Sequence, residues 1–172
     1  MADALALTVD AYISWTFTEA LDLSNVVDSA TMQHEKAFTT GTGNGQADRL
    51  FHESHTLGAA NRDYNLDALA YNSMFQSNTV TIAIIKLKGI FIRRTDTERA
   101  VTLRVDSSVT NSILTPFNSD TSTVLEIKSE SMVMLTNTMP GWTVTPGSAD
   151  ILRLTSSGAG CVYDIVLFGA SA

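Results

Sequence analysis

One cysteine, Cys161, is all the thiol this 172-residue chain contains. No internal disulfide framework can form, so stability has to come from a packed core, and a chain of this length is long enough to build one. Charge is also scarce: Asp, Glu, Lys and Arg make up 17 % of the residues, where about 25 % is usual. Positive charge is the scarcer sign, with 11 Lys and Arg against 18 Asp and Glu and a net charge of −7. Phosphate backbones are held by clustered cations, so nucleic acid is not an expected partner. Long apolar runs are missing as well. Residues 82–87 form the longest, it is broken by Lys86, and it is far shorter than a membrane-spanning helix. The opening Met1-Ala2-Asp3 shows no basic stretch leading into an apolar one, so no export leader is expected.

Helical periodicity is absent too, and alternation of period two takes its place. Ile13, Trp15 and Phe17 alternate with Ser14, Thr16 and Thr18, which predicts a half-buried strand. The stretch from Val80 to Ile85 turns continuously apolar, as in a strand covered on both faces. Lys88-Gly89 then suggests a bulge ahead of Ile90-Phe91-Ile92. Val101, Leu103 and Val105 alternate with Thr102 and Arg104. Further strands are expected at residues 124–127, 132–135, 151–154 and 162–168. Turn signals separate them at Pro140-Gly141 and Pro146-Gly147. Residues 72–76 suit a single helical turn, and residues 48–55 suit either helix or strand. Short strands at this spacing predict an all-β fold, a sandwich or a closed barrel. The glycine-rich residues 39–45 read as a loop, or as a hinge between an N-terminal arm (residues 1–37) and the main domain (residues 38–172).

The motifs that could carry chemistry do not hold together. His52-Glu53-Ser54-His55 has i,i+3 spacing instead of the i,i+4 of a zincin, and on a strand the two imidazoles would point to opposite faces. His34 is distant, and Cys161 reads as a small buried hydrophobe. Gly41-Thr42-Gly43-Asn44-Gly45 is followed by Gln46, so it fits neither a dinucleotide fingerprint nor a phosphate loop. No nucleophile elbow is present. No enzymatic activity, metal or cofactor is expected. Tryptophans beside strands usually fill a core or an interface, which is the expectation for Trp15 and Trp142.

One charge anomaly stands out. Lys86, Lys88, Arg93, Arg94, Arg99 and Arg104, against Asp96 and Glu98, give residues 86–104 a net +4 and leave −11 for the rest of the chain. The bland reading is a pair of strands with solvated ends. The functional reading is a basic face that docks on an acidic partner or on a neighbouring subunit.

The order of the blocks resembles a known family. Residues 38–51 (FTTGTGNGQADRLF) place a glycine-rich turn before Gln46-Ala47-Asp48 and an aromatic. Then follow His55-Thr56-Leu57, Tyr64-Asn65-Leu66-Asp67, residues 80–92, Gly141-Trp142-Thr143-Val144-Thr145 with Ala149-Asp150-Ile151-Leu152, and finally residues 163–169 (YDIVLFG). In this order, over residues 38–169, the chain resembles the jelly-roll structural proteins of tailed-phage particles, and among them the capsid decoration or cement proteins of the head. A departure falls at Ser131-Met132-Val133-Met134, where a Pro-Gly-like turn would be expected. The resemblance implies a jelly-roll β-sandwich, to which the glycine-rich break at residues 39–45 adds the extended N-terminal arm as an alternative to a loop. It also implies a homo-oligomer, a trimer, on the outside of a capsid, bound to the major capsid protein. It brings no catalytic residues. The alternative is a jelly-roll module of a tail or head fibre that binds host glycans, with Trp142, Tyr64 and Tyr71 as candidate stacking residues. An enzyme of the cupin type would need more histidine ligands than His34, His52 and His55 provide.

Overall fold

In the computed structural model of the chain, the structure describes residues 4–20, 25–72, 79–98, 100–106, 110–113, 115–117 and 124–172. The expected helical turn at residues 72–76 lies outside these, apart from Asn72, which ends a strand. Residues 48–55 resolve their ambiguity as strand β3 (Arg49–Leu57). One antiparallel sheet has the order β10 (Met132–Thr136), β7 (Lys86–Arg94), β13 (Cys161–Ala170), β3. The two-residue β11 (Trp142–Thr143) adds to β7 at Leu87 and Lys86. A second sheet has the order β4 (Asn61–Asn65), β12 (Ile151–Ser156), β8 (Leu103–Asp106), β9 (Val124–Ile127). A short ribbon of β5 (Leu69–Asn72) and β6 (Thr79–Ile82) lies in sequence between β4 and β7.

The five-stranded and four-stranded sheets share one core, as an all-β sandwich does. Ile90, Ile92, Ile165 and Leu167 point in from one sheet and Leu103, Val105, Leu152 and Leu154 from the other, all buried. Each such side chain contributes about 1.5–3 kcal/mol of burial, so alternation along these strands suffices to set their inward faces. At one end of the core the phenols meet: the Tyr64 and Tyr163 hydroxyl oxygens lie 2.8 Å apart. Burial pushes the Tyr163 phenol up to about 12 and moves Tyr64 in the same direction. A phenol whose pKa rises on folding stabilises the fold fully below its unfolded value near 10, and that contribution is lost as the pH rises through the folded value. Alkaline unfolding is therefore expected between about pH 10 and 12. Tyr64→Phe, which leaves the buried Tyr163 hydroxyl unpaired, is expected to cost about 1–2 kcal/mol in urea denaturation at neutral pH.

The chain turns between β9 and β10 just before Met132, and Met132–Thr136 is strand. Glu130 takes a left-handed φ of 58°, and the Ser131 amide donates to the Lys128 carbonyl. The two strands do not pair with each other. This turn carries the chain from one sheet to the other.

A bulge does occur at Lys88-Gly89. Phe168 pairs with Gly89 and Gly169 with Leu87, so Lys88 stands unpaired. Gly89 has to lack a side chain because the Phe168 ring lies across it, and a Cβ there would sit 2.1 Å from the ring.

Strand β1 (Leu7–Ala20) corrects an expectation. It pairs over its whole length with β2 (Asn25–Phe38) and with no other strand. At Ile13, Trp15 and Phe17 the alternation does make a strand, but not a half-buried one, because among the described residues no layer lies behind it. Only the root is packed: Val9 and Phe38 are buried with Ala47 and Phe168, and Leu5, Leu7 and Leu50 pack against them.

Candidate assembly surface

The ribbon has two unlike faces. Opposed residues of an antiparallel pair share a face, so Ile13/Met32, Trp15/Ala30 and Phe17/Asp28 fall on one side. Tyr12/Gln33, Ser14/Thr31 and Thr16/Ser29 fall on the other. On the apolar side Ile13, Phe17 and Met32 are each 63 % exposed and Trp15 42 %. Trp15 Nε1 donates to Asp28 across this face. Fourteen residues per strand at about 3.3 Å each make a ribbon about 45 Å long. A two-stranded ribbon without cover is marginal in water, and a contiguous exposed apolar face marks an interaction site.

The ribbon leaves the body through residues 39–48, which form a tight loop. Gln46 Oε1 accepts from the Gly43 amide, and the Gly45 amide donates to the Thr138 carbonyl. Lys88, at the bulge, reaches into this loop. Its ammonium donates to the carbonyls of Gly43 at 2.5 Å and Gln46 at 2.6 Å, and burial lowers its pKa. A half-open cleft of about 500 Å³ lies beside the root, lined by Leu5, Thr40, Asp48, Arg49 and Ile82. The Asp48 carboxylate in it is taken up by the Ser171 amide and hydroxyl.

The basic segment does not form one face. Lys88 and Arg94 are 1 % exposed and belong to the interior. Arg94 points into the core end, where it pairs with Asp96. Its neighbour Arg93 points out beside Asp164, since successive residues of a strand face opposite ways. Lys86 donates to the Thr143 hydroxyl. Arg104 sits on the outer face of the other sheet, paired with Glu126. Arg99 lies outside the described residues. Of the described candidates, Arg93 alone is exposed on the outer face of the β10-β7-β13-β3 sheet.

The two outer faces of the sandwich differ. On the β4-β12-β8-β9 sheet, Asp63 binds Arg153 in a forked pair at 2.6 and 2.7 Å, and Glu126 bridges Arg104 and Lys128. That face is charged and internally paired. On the β10-β7-β13-β3 sheet, Met132 and Met134 stand exposed on β10 beside half-buried Phe91 and Val166. β10 is also an edge strand, with one side unpaired. The sequence held a signal for this methionine edge: residues 132–135 are apolar throughout, as in a strand covered on both faces.

The remaining candidates are scattered. His52 lies opposite Val166 and His55 opposite Tyr163, so they face opposite sides of β3, and His34 stands on the ribbon. Among the described residues no group of three His, Cys, Asp or Glu is placed to hold a metal. Cys161 is buried, and burial pushes its thiol pKa up. Tyr64 is buried and Trp142 packs half-buried against the core, so these two do not form an exposed stacking platform. The Tyr71 side chain lies outside the description. No described helix is long and apolar enough to cross a membrane. Comparison with protein-family models, with curated proteins and with solved structures gave no match for this chain.

Proposed function

We propose that this chain is a non-enzymatic structural subunit of a tailed-phage particle, which decorates or cements the capsid as a homo-oligomer bound to the major capsid protein. The exposed amphipathic ribbon carries the reading. A 14-residue strand pair with an apolar face and no cover from its own body suits a chain that works inside an assembly. The resemblance of the ordered blocks of residues 38–169 points to a phage particle as the setting. Strand order supports the finer jelly-roll reading. The sheets β3-β13-β7-β10 and β4-β12-β8-β9 exchange the chain repeatedly, as two Greek keys do in a double-sheet roll.

The test is the copy number of the chain in purified particles of the phage that encodes it, together with binding to shells of the major capsid protein alone. Copies matching the capsid lattice, and saturable binding to bare shells, are the expected result. Copies matching the axial symmetry of the tail would move the chain there and overturn the capsid role. Absence from particles would overturn the reading entirely.

A further inference from the structure

We propose that the apolar face of the ribbon docks on the outer face of the β10-β7-β13-β3 sheet of a second copy of this chain, so that subunits join head to tail into a closed ring. The inference rests on the reading of the chain as a homo-oligomeric subunit and names the surfaces that make the oligomer.

The large exposed apolar side chains of the described residues fall into two regions. One is the ribbon, the other the run from Met132 through Met134 to Met139. A head-to-tail contact covers both at once, with each subunit giving a ribbon and receiving one. Within one subunit the ribbon root already makes a contact of this kind. Val9 and Phe38, on the apolar face of the ribbon, pack on Phe168 and Leu50, whose side chains leave the same outer sheet face. Beyond Ala11 the same ribbon face continues with no layer of the described residues beneath it, so a second copy extends a contact that the chain has begun. Methionines on the receiving side suit it, because an unbranched thioether adapts to an incoming aromatic.

Charge selects this occupant over the obvious competitor, a second ribbon. Residues 7–38 carry a net −4, so two ribbons laid face to face repel, whereas on the receiving face Arg93 and Asp164 offset each other. The acids on the apolar ribbon face, Asp28 and Glu19, lie toward its tip. On the receiving face the cation is Arg93, directly opposite Met132. The outer face of the other sheet is a poorer host. Cover there would bury the Asp63–Arg153 pair and the Arg104–Glu126–Lys128 cluster, with no large exposed apolar side chain among its described residues. The receiving face has among its described residues the one pair Arg93–Asp164, beside Met132 and Met134. Ile13, Phe17 and Met32, each more than half exposed, together with Trp15 offer on the order of 500 Å². With a polar rim that approaches the roughly 800 Å² per partner of a stable contact.

Cross-linking of the full chain tests the pairing. Phe17→Cys and Met132→Cys are made separately; the native Cys161 is buried and stays silent. Under mild oxidation the mixture of the two variants is expected to give a covalent dimer that neither gives alone. The double variant is expected to close into a covalent ring. Self-linking by Phe17→Cys alone would mean ribbon on ribbon and overturn the proposal, as would a wild-type chain that is monomeric by light scattering. Phe17→Asp and Met134→Glu, both at exposed positions, are each expected to weaken self-association at least about tenfold, while Thr16→Glu on the polar ribbon face leaves it unchanged. Equal weakening by all three would overturn the assignment of faces. Shell binding separates the two ideas. Oligomers that persist in the Phe17 and Met134 variants and still bind shells refute the ribbon contact alone. A wild-type ring that ignores bare shells refutes the capsid reading alone.

Discussion

Arg94→Met is expected to remove about 3–5 kcal/mol of folding stability, because it strands a carboxylate whose side chain is only 10 % exposed. The Arg94 guanidinium, at a position 1 % exposed, grips Asp96 through two parallel bonds, Nε to Oδ2 at 2.8 Å and a terminal nitrogen to Oδ1 at 2.5 Å. It also donates to the carbonyls of Val101 and Glu98. Asp96 in turn accepts from the amides of Val162 and Glu98. One ion pair thus ties the end of β7 to the start of β13 and to the crossing toward β8. Arg94→Lys is expected to recover only part of the loss, since an ammonium cannot fork to a carboxylate and reach two carbonyls as well. The arginine bond, with help from the backbone donors, holds the Asp96 carboxyl down at about 2. A carboxylate depressed on folding stabilises the fold fully above its unfolded value near 4, and the contribution is lost as the pH falls through the folded value. In the wild type about 2 kcal/mol should disappear between about pH 4 and 2. In Arg94→Met this acid limb should flatten. Urea denaturation across that range measures both effects, and a variant within 1 kcal/mol of wild type at neutral pH would refute the assigned role.

Gly169→Ala is expected to cost about 3 kcal/mol or more, for a steric reason. A Cβ at residue 169 would lie 2.1 Å from the Lys86 carbonyl oxygen and 2.8 Å from Ile84 Cγ2. The oxygen belongs to backbone and cannot swing aside, so β13 would have to leave β7 at the bulge. The Gly169 carbonyl accepts from the Asp48 amide, and the Ala170 carbonyl accepts from the Ile85 amide. Both bonds would strain, along with the loop that Lys88 pins at the ribbon root. Loss of stability with an unchanged denaturant slope is the expected readout. Proteolysis at the loop of residues 39–48 should rise in parallel. An alanine variant as stable as wild type would show that the strand ends can part without cost.

Much of the sandwich was legible because a sheet residue's direction follows from parity. Val101, Leu103 and Val105 alternate in the sequence and are buried in the structure, and the opposed directions of His52 and His55 follow from the same rule. Strand β2 was harder to read. Its apolar face includes Asp28, His34 and Lys36, and apolar Val27 falls on the other side, so its alternation is visible only once β1 supplies the register. The basic segment misled for the opposite reason. Its cations are neighbours in sequence, but parity splits Arg93 from Arg94, Lys88 at the bulge is buried under the loop of residues 39–48, and a change of sheet removes Arg104.

The sequence by itself determined that this protein is built of short alternating strands around an apolar core, because the pattern of period two is local and each strand carries its own. Only the tertiary structure decided which patterned faces meet within the chain and which are left without a partner. A strand's alternation states that one side is apolar, and whether that side finds its own body or another copy depends on contacts far apart in sequence. For Ile13, Trp15 and Phe17 no layer among the described residues of their own chain covers the apolar side.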